Sequence, residues 1–213
     1  MVVAILALAL TQEAPVSLLH KPKAGESWAY RAKIALGGPP KVEGSGKLTF
    51  TATEVAADGS WTNTVEMGET TLTVDGREED GGQLEMKLRR DAFGALLDWE
   101  AFEAREIPGF DTVELVLALA PPAPVRPGES WTGRAPKGTE LKPLRFTLVG
   151  TETLAGKPLL RVVASGESPT VGRIAGSVWL SPDRFRLVRL ELATPKDAKP
   201  ELGAFSLKLA PVE

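Results

Sequence analysis

Apolar and polar side chains alternate along most of this chain. Trp28, Tyr30, Ala32, Ile34 and Leu36 fall on one face of an extended segment, with Arg31 and Lys33 on the other. Leu48, Phe50 and Ala52 stand against Thr49, Thr51 and Thr53, and the same period of two recurs at Leu72 and Val74 and at Leu84, Met86 and Leu88. It returns in Leu144, Phe146 and Leu148 opposite Arg145 and Thr147, in Leu160, Val162 and Ala164, and in Phe205, Leu207 and Leu209. A helical period cannot produce this spacing, and an antiparallel sheet with one packed and one wet face does. The phase flips between Leu187 and Val188, where a β-bulge would keep the apolar side chains inward.

Turn chemistry separates the strands. Asp58-Gly59, Ala155-Gly156 and Ser181-Pro182-Asp183-Arg184 all supply residues that hairpin turns use, whereas Val74-Asp75-Gly76-Arg77 reads as the start of a longer acidic connection through Glu78-Glu79-Asp80-Gly81-Gly82. These signals mark about eleven strands. One segment departs from the pattern. Asp111 reads as an N-cap with Glu114 at N3, Leu115 to Leu119 follow, and Pro121-Pro122 stops the run. A short helix is expected there, crossing over or plugging one end of a sheet. The expected fold is therefore mainly β, either a curved antiparallel sheet (a half-barrel) or a two-sheet sandwich, with one short helix.

Val2 to Leu10 is an uninterrupted apolar run of nine residues. As a helix it would rise about 14 Å, half of a hydrocarbon core, so no transmembrane span is expected. It matches the apolar core of a secretory signal, with Ala7-Leu8-Ala9 at a cleavage spacing but no positive region before it. A misplaced start codon or a short first strand are the alternatives. Residues 1–13 are thus expected to be a signal peptide, N-terminally truncated, and residues 14–213 a single β-rich domain of a periplasmic or extracellular protein.

Gly25-Glu26-Ser27-Trp28 and Gly128-Glu129-Ser130-Trp131 are identical tetrapeptides, each followed by a Leu-x-Phe-Thr strand at Leu48 to Thr51 and Leu144 to Thr147. They suggest two pseudo-repeats, 23–120 and 125–213, parted by Pro121-Pro122-Ala123-Pro124. The physical reading is a Gly turn leading the chain into a sheet, with Trp as the first inward anchor.

Pro127-Gly128-Glu129-Ser130-Trp131 after a Pro-rich stretch, then the hairpin Gly176 to Pro182 running into Val188-Arg189-Leu190, resembles uncharacterised secreted bacterial proteins with Pro-Gly-x-Ser-Trp motifs. Those in turn are loosely similar to LolA-type periplasmic lipoprotein carriers. The resemblance covers about residues 125 to 195 and implies a curved antiparallel sheet wrapped over helices around an apolar cavity. LolA-type carriers hold more helix than this sequence offers, and no site residue transfers from them.

Composition narrows the chemistry. Zero Cys removes disulfides, thiol catalysis and lipid attachment at a cysteine, and a net charge of −3 without a basic cluster argues against nucleic acid. His20 is the single histidine, and no G-x-S-x-G accompanies it, so it reads as exposed or incidental. No catalytic residue, metal site or cofactor is expected. Arg89, Arg90, Arg184, Arg186 and Arg189 read as solvated protection on wet sheet faces. Trp28, Trp61, Trp131 and Trp179 are the candidate ligand-binding residues, Trp179 because it faces away from Ile174, Val178 and Leu180. The expected function is an exported, non-catalytic binding protein of the bacterial envelope, holding a hydrophobic small molecule or lipid. An interaction module that offers a sheet face or edge to another envelope protein is the alternative, and a carboxylate-dependent hydrolase the third.

Overall fold

The computed structural model describes residues 14–101, 110–135, 141–168, 171–198 and 203–212. The expected signal segment, residues 1–13, lies outside them. Twelve strands form one antiparallel sheet: β1 (Ser27–Leu36), β2 (Val42–Val55), β3 (Trp61–Val74), β4 (Arg77–Glu79), β5 (Leu84–Arg90), β6 (Leu96–Ala101), β7 (Ser130–Thr132), β8 (Arg145–Leu154), β9 (Lys157–Ser168), β10 (Gly172–Leu180), β11 (Leu187–Ala193) and β12 (Phe205–Pro211). Their spatial order is β6-β5-β3-β2-β1-β12-β11-β10-β9-β8-β7, with β4 on β3. Two meanders, one from each half of the chain, are thus joined where β1 pairs with β12, and every described strand belongs to the single sheet rather than to a sandwich.

The sheet curls. A flat path from β5 to β7 would hold its ends roughly 40 Å apart at strand spacing. Yet Arg134, just after β7, reaches Asp91, just after β5, at 3.1 Å, and its guanidinium lies 3.8 Å from the centre of the Phe93 ring. The curvature follows from strand twist and from bulges. One bulge sits at Val188, between the paired partners of Trp179 and Leu180, and it leaves both Leu187 and Leu190 buried. That is where the alternation flips in the sequence.

On the concave side lies α1 (Phe110–Leu117), with Leu115 and Val116 fully buried among Leu88, Leu144, Phe146 and Val162. Its C-terminal end is pinched between the two ends of the sheet. A Cβ on Gly94 would stand 2.9 Å from the Leu117 carbonyl oxygen, and one on Gly133 would stand 3.0 Å from that of Ala118. Only glycine permits either approach. Among the described residues no helix is long and apolar enough to cross a membrane.

Four expectations are corrected. The helix begins at Phe110, so Asp111 falls inside the first turn and is not the N-cap. Glu114 does not close a capping box, because its carboxylate turns inward to Arg90. Arg90 is not on a wet face: it continues the inward phase of Met86 and Leu88 and is 1% exposed. The acidic connection after Val74 holds a further strand, β4, in a two-residue hairpin whose Asp75 and Gly76 both have positive φ (49° and 80°).

The twin tetrapeptides are twin structures. Gly25 and Gly128 both have positive φ, 80° and 86°, and their N–H groups donate to Ala52 and Leu148 carbonyls, each at 2.7 Å. The carboxylates of Glu26 and Glu129 accept from the backbone N–H three residues earlier, at Lys23 (3.1 Å) and Arg126 (2.8 Å). Trp28 then pairs with Phe50 and Trp131 with Phe146, the rings stacked with centroids 5.9 and 5.8 Å apart.

Candidate functional site

At one end of the concave face, segment 14–22 crosses the sheet. Val16 makes an isolated antiparallel bridge to Val125, through backbone hydrogen bonds of 2.8 and 2.9 Å, and Leu18 is buried. Every second residue here, Val16, Leu18, His20 and Pro22, is more buried than Ser17 and Lys21 between them. This phase carries His20 into an aromatic group, which corrects its reading as exposed or incidental. Its ring meets Trp28 edge-on at 5.4 Å and Trp61 edge-on at 6.3 Å, and the two indoles lie 6.2 Å apart. Phe50 supports Trp28 from behind and meets Tyr30 at 5.8 Å.

These side chains enclose a cavity of about 60 Å³. Its floor comes from β1, β2 and β3, and its walls from Leu18, His20, Phe93, Leu117 and Phe185. Phe185 is held at φ 52°, in the β10–β11 turn, so it aims at the cavity rather than along the strand. That side wall is fixed by Tyr30, whose phenol donates to the Leu187 carbonyl at 2.8 Å. Burial pushes the phenol's pKa up from 10, against a smaller opposing effect of Arg186, so it remains a donor.

The polar groups around this cavity are unevenly satisfied. Arg90 uses four of its five N–H donors: it forks onto Glu114 at 2.7 and 2.8 Å, gives Nε–H to Asn63 Oδ1 at 3.3 Å, and gives a further N–H to the Gly94 carbonyl at 3.0 Å. Its guanidinium carbon also lies 5.6 Å from the centre of the Trp61 ring. By contrast, Trp61 Nε1 and His20 Nε2 are both buried without a hydrogen-bond partner among the described residues. Both residues line the cavity, and two buried nitrogens without partners are unusual, since buried polar groups are nearly always paired.

At the rim, His20 Nδ1 lies 3.2 Å from the Arg184 carbonyl oxygen. A carbonyl only accepts, so Nδ1 carries the proton and donates. Burial lowers the imidazole's pKa below 6.5, more than the Arg184 carbonyl and the charge of Glu26 raise it, while the charges of Arg186 and Arg184 lower it further. Glu26 sits beside it, 3.0 Å from Arg184 and 3.8 Å from Arg186. Burial works to raise the Glu26 pKa, but the Lys23 N–H, Arg184 and His20 together bring it below 4.5.

No protein-family model and no curated protein matches this chain. The site therefore stands on its own geometry.

Of the four tryptophans singled out in the sequence, β1 and β3 bring Trp28 and Trp61 together at the cavity. Trp131 does not line the cavity; its Nε1 donates to the Leu119 carbonyl, just past the C-terminal end of α1, at 2.6 Å. Trp179 is on the convex face, where Arg161 and Arg189 on the flanking strands stand 5.9 and 5.4 Å from its ring centre. Its Nε1 donates to Glu152 at 3.4 Å. It shares no surface with the cavity.

Proposed function

We propose that this is a non-catalytic binding protein that holds an apolar, lipid-like ligand against the concave face, at the cavity under segment 14–22. We place it after export, in a periplasmic or extracellular compartment, on the apolar run that opens the sequence. One observation carries the reading: an aromatic-walled cavity lined by Trp28, Phe50, Trp61, Phe93 and Phe185, with Trp61 Nε1 and His20 Nε2 in its walls unpaired among the described residues. Aromatic walls with a few convergent polar groups are the usual make-up of a small-molecule site.

The cavity's size specifies how a ligand would enter. At about 60 Å³ it is smaller than the ~150 Å³ that admits benzene or the ~300 Å³ at which ligand pockets begin. A larger ligand must therefore displace a wall. The wall held by fewest bonds is segment 14–22, anchored at Val16 and His20, whereas the floor is continuous sheet. Displacing it would open the aromatic face of β1 to β3.

Native mass spectrometry of protein purified without detergent, paired with organic extraction of the same sample, tests the reading. A defined extra mass recovered as an apolar compound is the expected result. A mass of the bare chain that stays bare after incubation with apolar ligands would overturn it.

A second reading, a partner-binding sheet edge, is favoured by Trp99, which is 58% exposed on the terminal strand β6. A dimer or hetero-complex lost on Trp99→Ser would support it.

A further inference from the structure

We infer that segment 14–22 is an acid-released strap: a second proton on the His20 ring dislodges it from the concave face while the sheet beneath stays folded. The device belongs to the wall of the cavity and operates whatever the cavity holds.

The strap is held at two places. Near its start, Val16 exchanges two backbone hydrogen bonds with Val125, at 2.8 and 2.9 Å, and Leu18, two residues on, is buried. Near its end, His20 Nδ1 donates to the Arg184 carbonyl at 3.2 Å, and the ring stands edge-on to Trp28 and Trp61. The floor below is the continuous ladder of β1, β2 and β3. Loss of the His20 anchor leaves one isolated bridge and one leucine to hold the strap, against a sheet whose own pairing is untouched. Segments tied this sparsely open below the cost of global unfolding.

The neutral ring fits this seat and the imidazolium does not. With Nδ1–H given to Arg184, the second proton must go on Nε2. Nε2 is buried without a partner among the described residues, so the new N–H would meet neither an acceptor nor water. The indole rings offer it a cation–π contact, which is weaker than the hydration it gives up.

The surrounding charges do not rescue it. The β10–β11 turn brings Arg184 and Arg186 to the ring, and β5 brings Arg90, paired with Glu114 of α1, to the same cavity. Lys21 follows on the strap itself, and the Tyr30 phenol of β1 stays neutral. The turn into β1 supplies Glu26 as the carboxylate beside the ring. That carboxylate already accepts from the Lys23 N–H at 3.1 Å and faces Arg184 at 3.0 Å and Arg186 at 3.8 Å. A charged His20 would be a third cation on it. Burial holds the seated ring's pKa below 6.5, whereas a released ring in water returns to the ordinary value. As pH falls past 6.5 the released form takes up the proton first, so release becomes easier by up to about tenfold per pH unit, down to the seated pKa.

Amide hydrogen exchange of the full chain, followed by NMR from pH 7.5 to pH 5 and corrected for the intrinsic effect of pH on exchange, tests this. The Val16 and Val125 amides report release of the strap, and amides inside β9 and β10 report unfolding of the sheet. Val16 and Val125 are expected to be less protected than the β9 and β10 amides at every pH, and to lose about tenfold or more of their protection between pH 7 and pH 5. His20→Phe and His20→Gln, neither of which titrates there, should each abolish that loss. Equal protection of Val16 and Val125 at pH 7 and pH 5 in the wild type would overturn the inference, as would a loss that persists in either variant. Protection equal to that of β9 and β10 throughout would overturn it too, since the segment would then leave only when the whole sheet unfolds.

Discussion

Arg90 and Glu114 form a two-point ion pair at 2.7 and 2.8 Å between strand β5 and helix α1, 1% and 3% exposed. It ties α1 to the concave sheet, and its Arg90 lines the cavity. Removing one partner leaves the other charge buried alone, which costs about 3–5 kcal/mol. Glu114→Gln and Arg90→Met are each expected to lower urea-unfolding stability by about that much. The double change Arg90→Met with Glu114→Leu is expected to cost less than either alone, because no charge is then stranded. A double variant as destabilised as the two singles together would show that the residues act independently.

The twin turns offer a matched comparison. Gly25 and Gly128 share a positive φ, the same backbone partner geometry and open space where a Cβ would stand. Gly25→Ala and Gly128→Ala therefore incur only backbone strain, about 1–2 kcal/mol each. Chemical denaturation should give the two variants equal losses within a few tenths of a kcal/mol. A large difference would mean that the two halves do not hold their strands in the same way.

Acid should weaken the fold at His20 first. Burial holds its folded pKa below the ordinary 6.5, so as pH falls past 6.5 the unfolded chain takes up the proton before the folded chain does. Stability is full above that value and declines below it, down to the folded pKa. Glu26, whose pKa is brought below 4.5, adds a second loss in the same direction at lower pH. Urea midpoints measured from pH 8 to pH 5 should fall for the wild type, and His20→Phe should flatten the curve in that range. A wild-type midpoint that does not change across it would place His20 in solvent.

Much of the sheet was legible in the sequence because period-two alternation reports directly which side chains point inward. The bulge at Val188 was readable as a flip of phase, and the twin turns as repeated letters. Arg90 was missed because its residue type outweighed its phase. Counting on from Met86 and Leu88 places it inward, and a buried guanidinium then requires a carboxylate such as Glu114. His20 carried a similar signal in its spacing from Val16 and Leu18. The meeting of Trp28 with Trp61 was not legible, because it depends on the registers of two successive hairpins, β1–β2 and β2–β3, and nor was the pairing of β1 with β12, which lie at opposite ends of the chain. Trp179 was assigned to the right face, opposite Ile174 and Val178. What its spacing could not tell is that this face is convex and its ring is already covered by Arg161 and Arg189.

That placement yields a further expectation. Trp179→Phe removes the long Nε1–Glu152 hydrogen bond and weakens the cation–π contacts with Arg161 and Arg189, so a small stability loss of about 1 kcal/mol is expected. Apolar-ligand affinity should not change, because the side chain lies outside the cavity. A ligand affinity that fell with Trp179→Phe would move the binding surface to the convex face.

The most direct measurement follows the tryptophan indole N–H signals of uniformly ¹⁵N-labelled protein during titration with 1-octanol. The chain has five tryptophans, so five signals can be assigned by single Trp→Phe changes. The account expects the Trp61 and Trp28 signals to move, since both rings line the cavity, and those of Trp131 and Trp179 to stay, since neither lines it and both already donate to protein oxygens. A titration in which Trp99 or Trp179 responds while Trp61 is silent would contradict it.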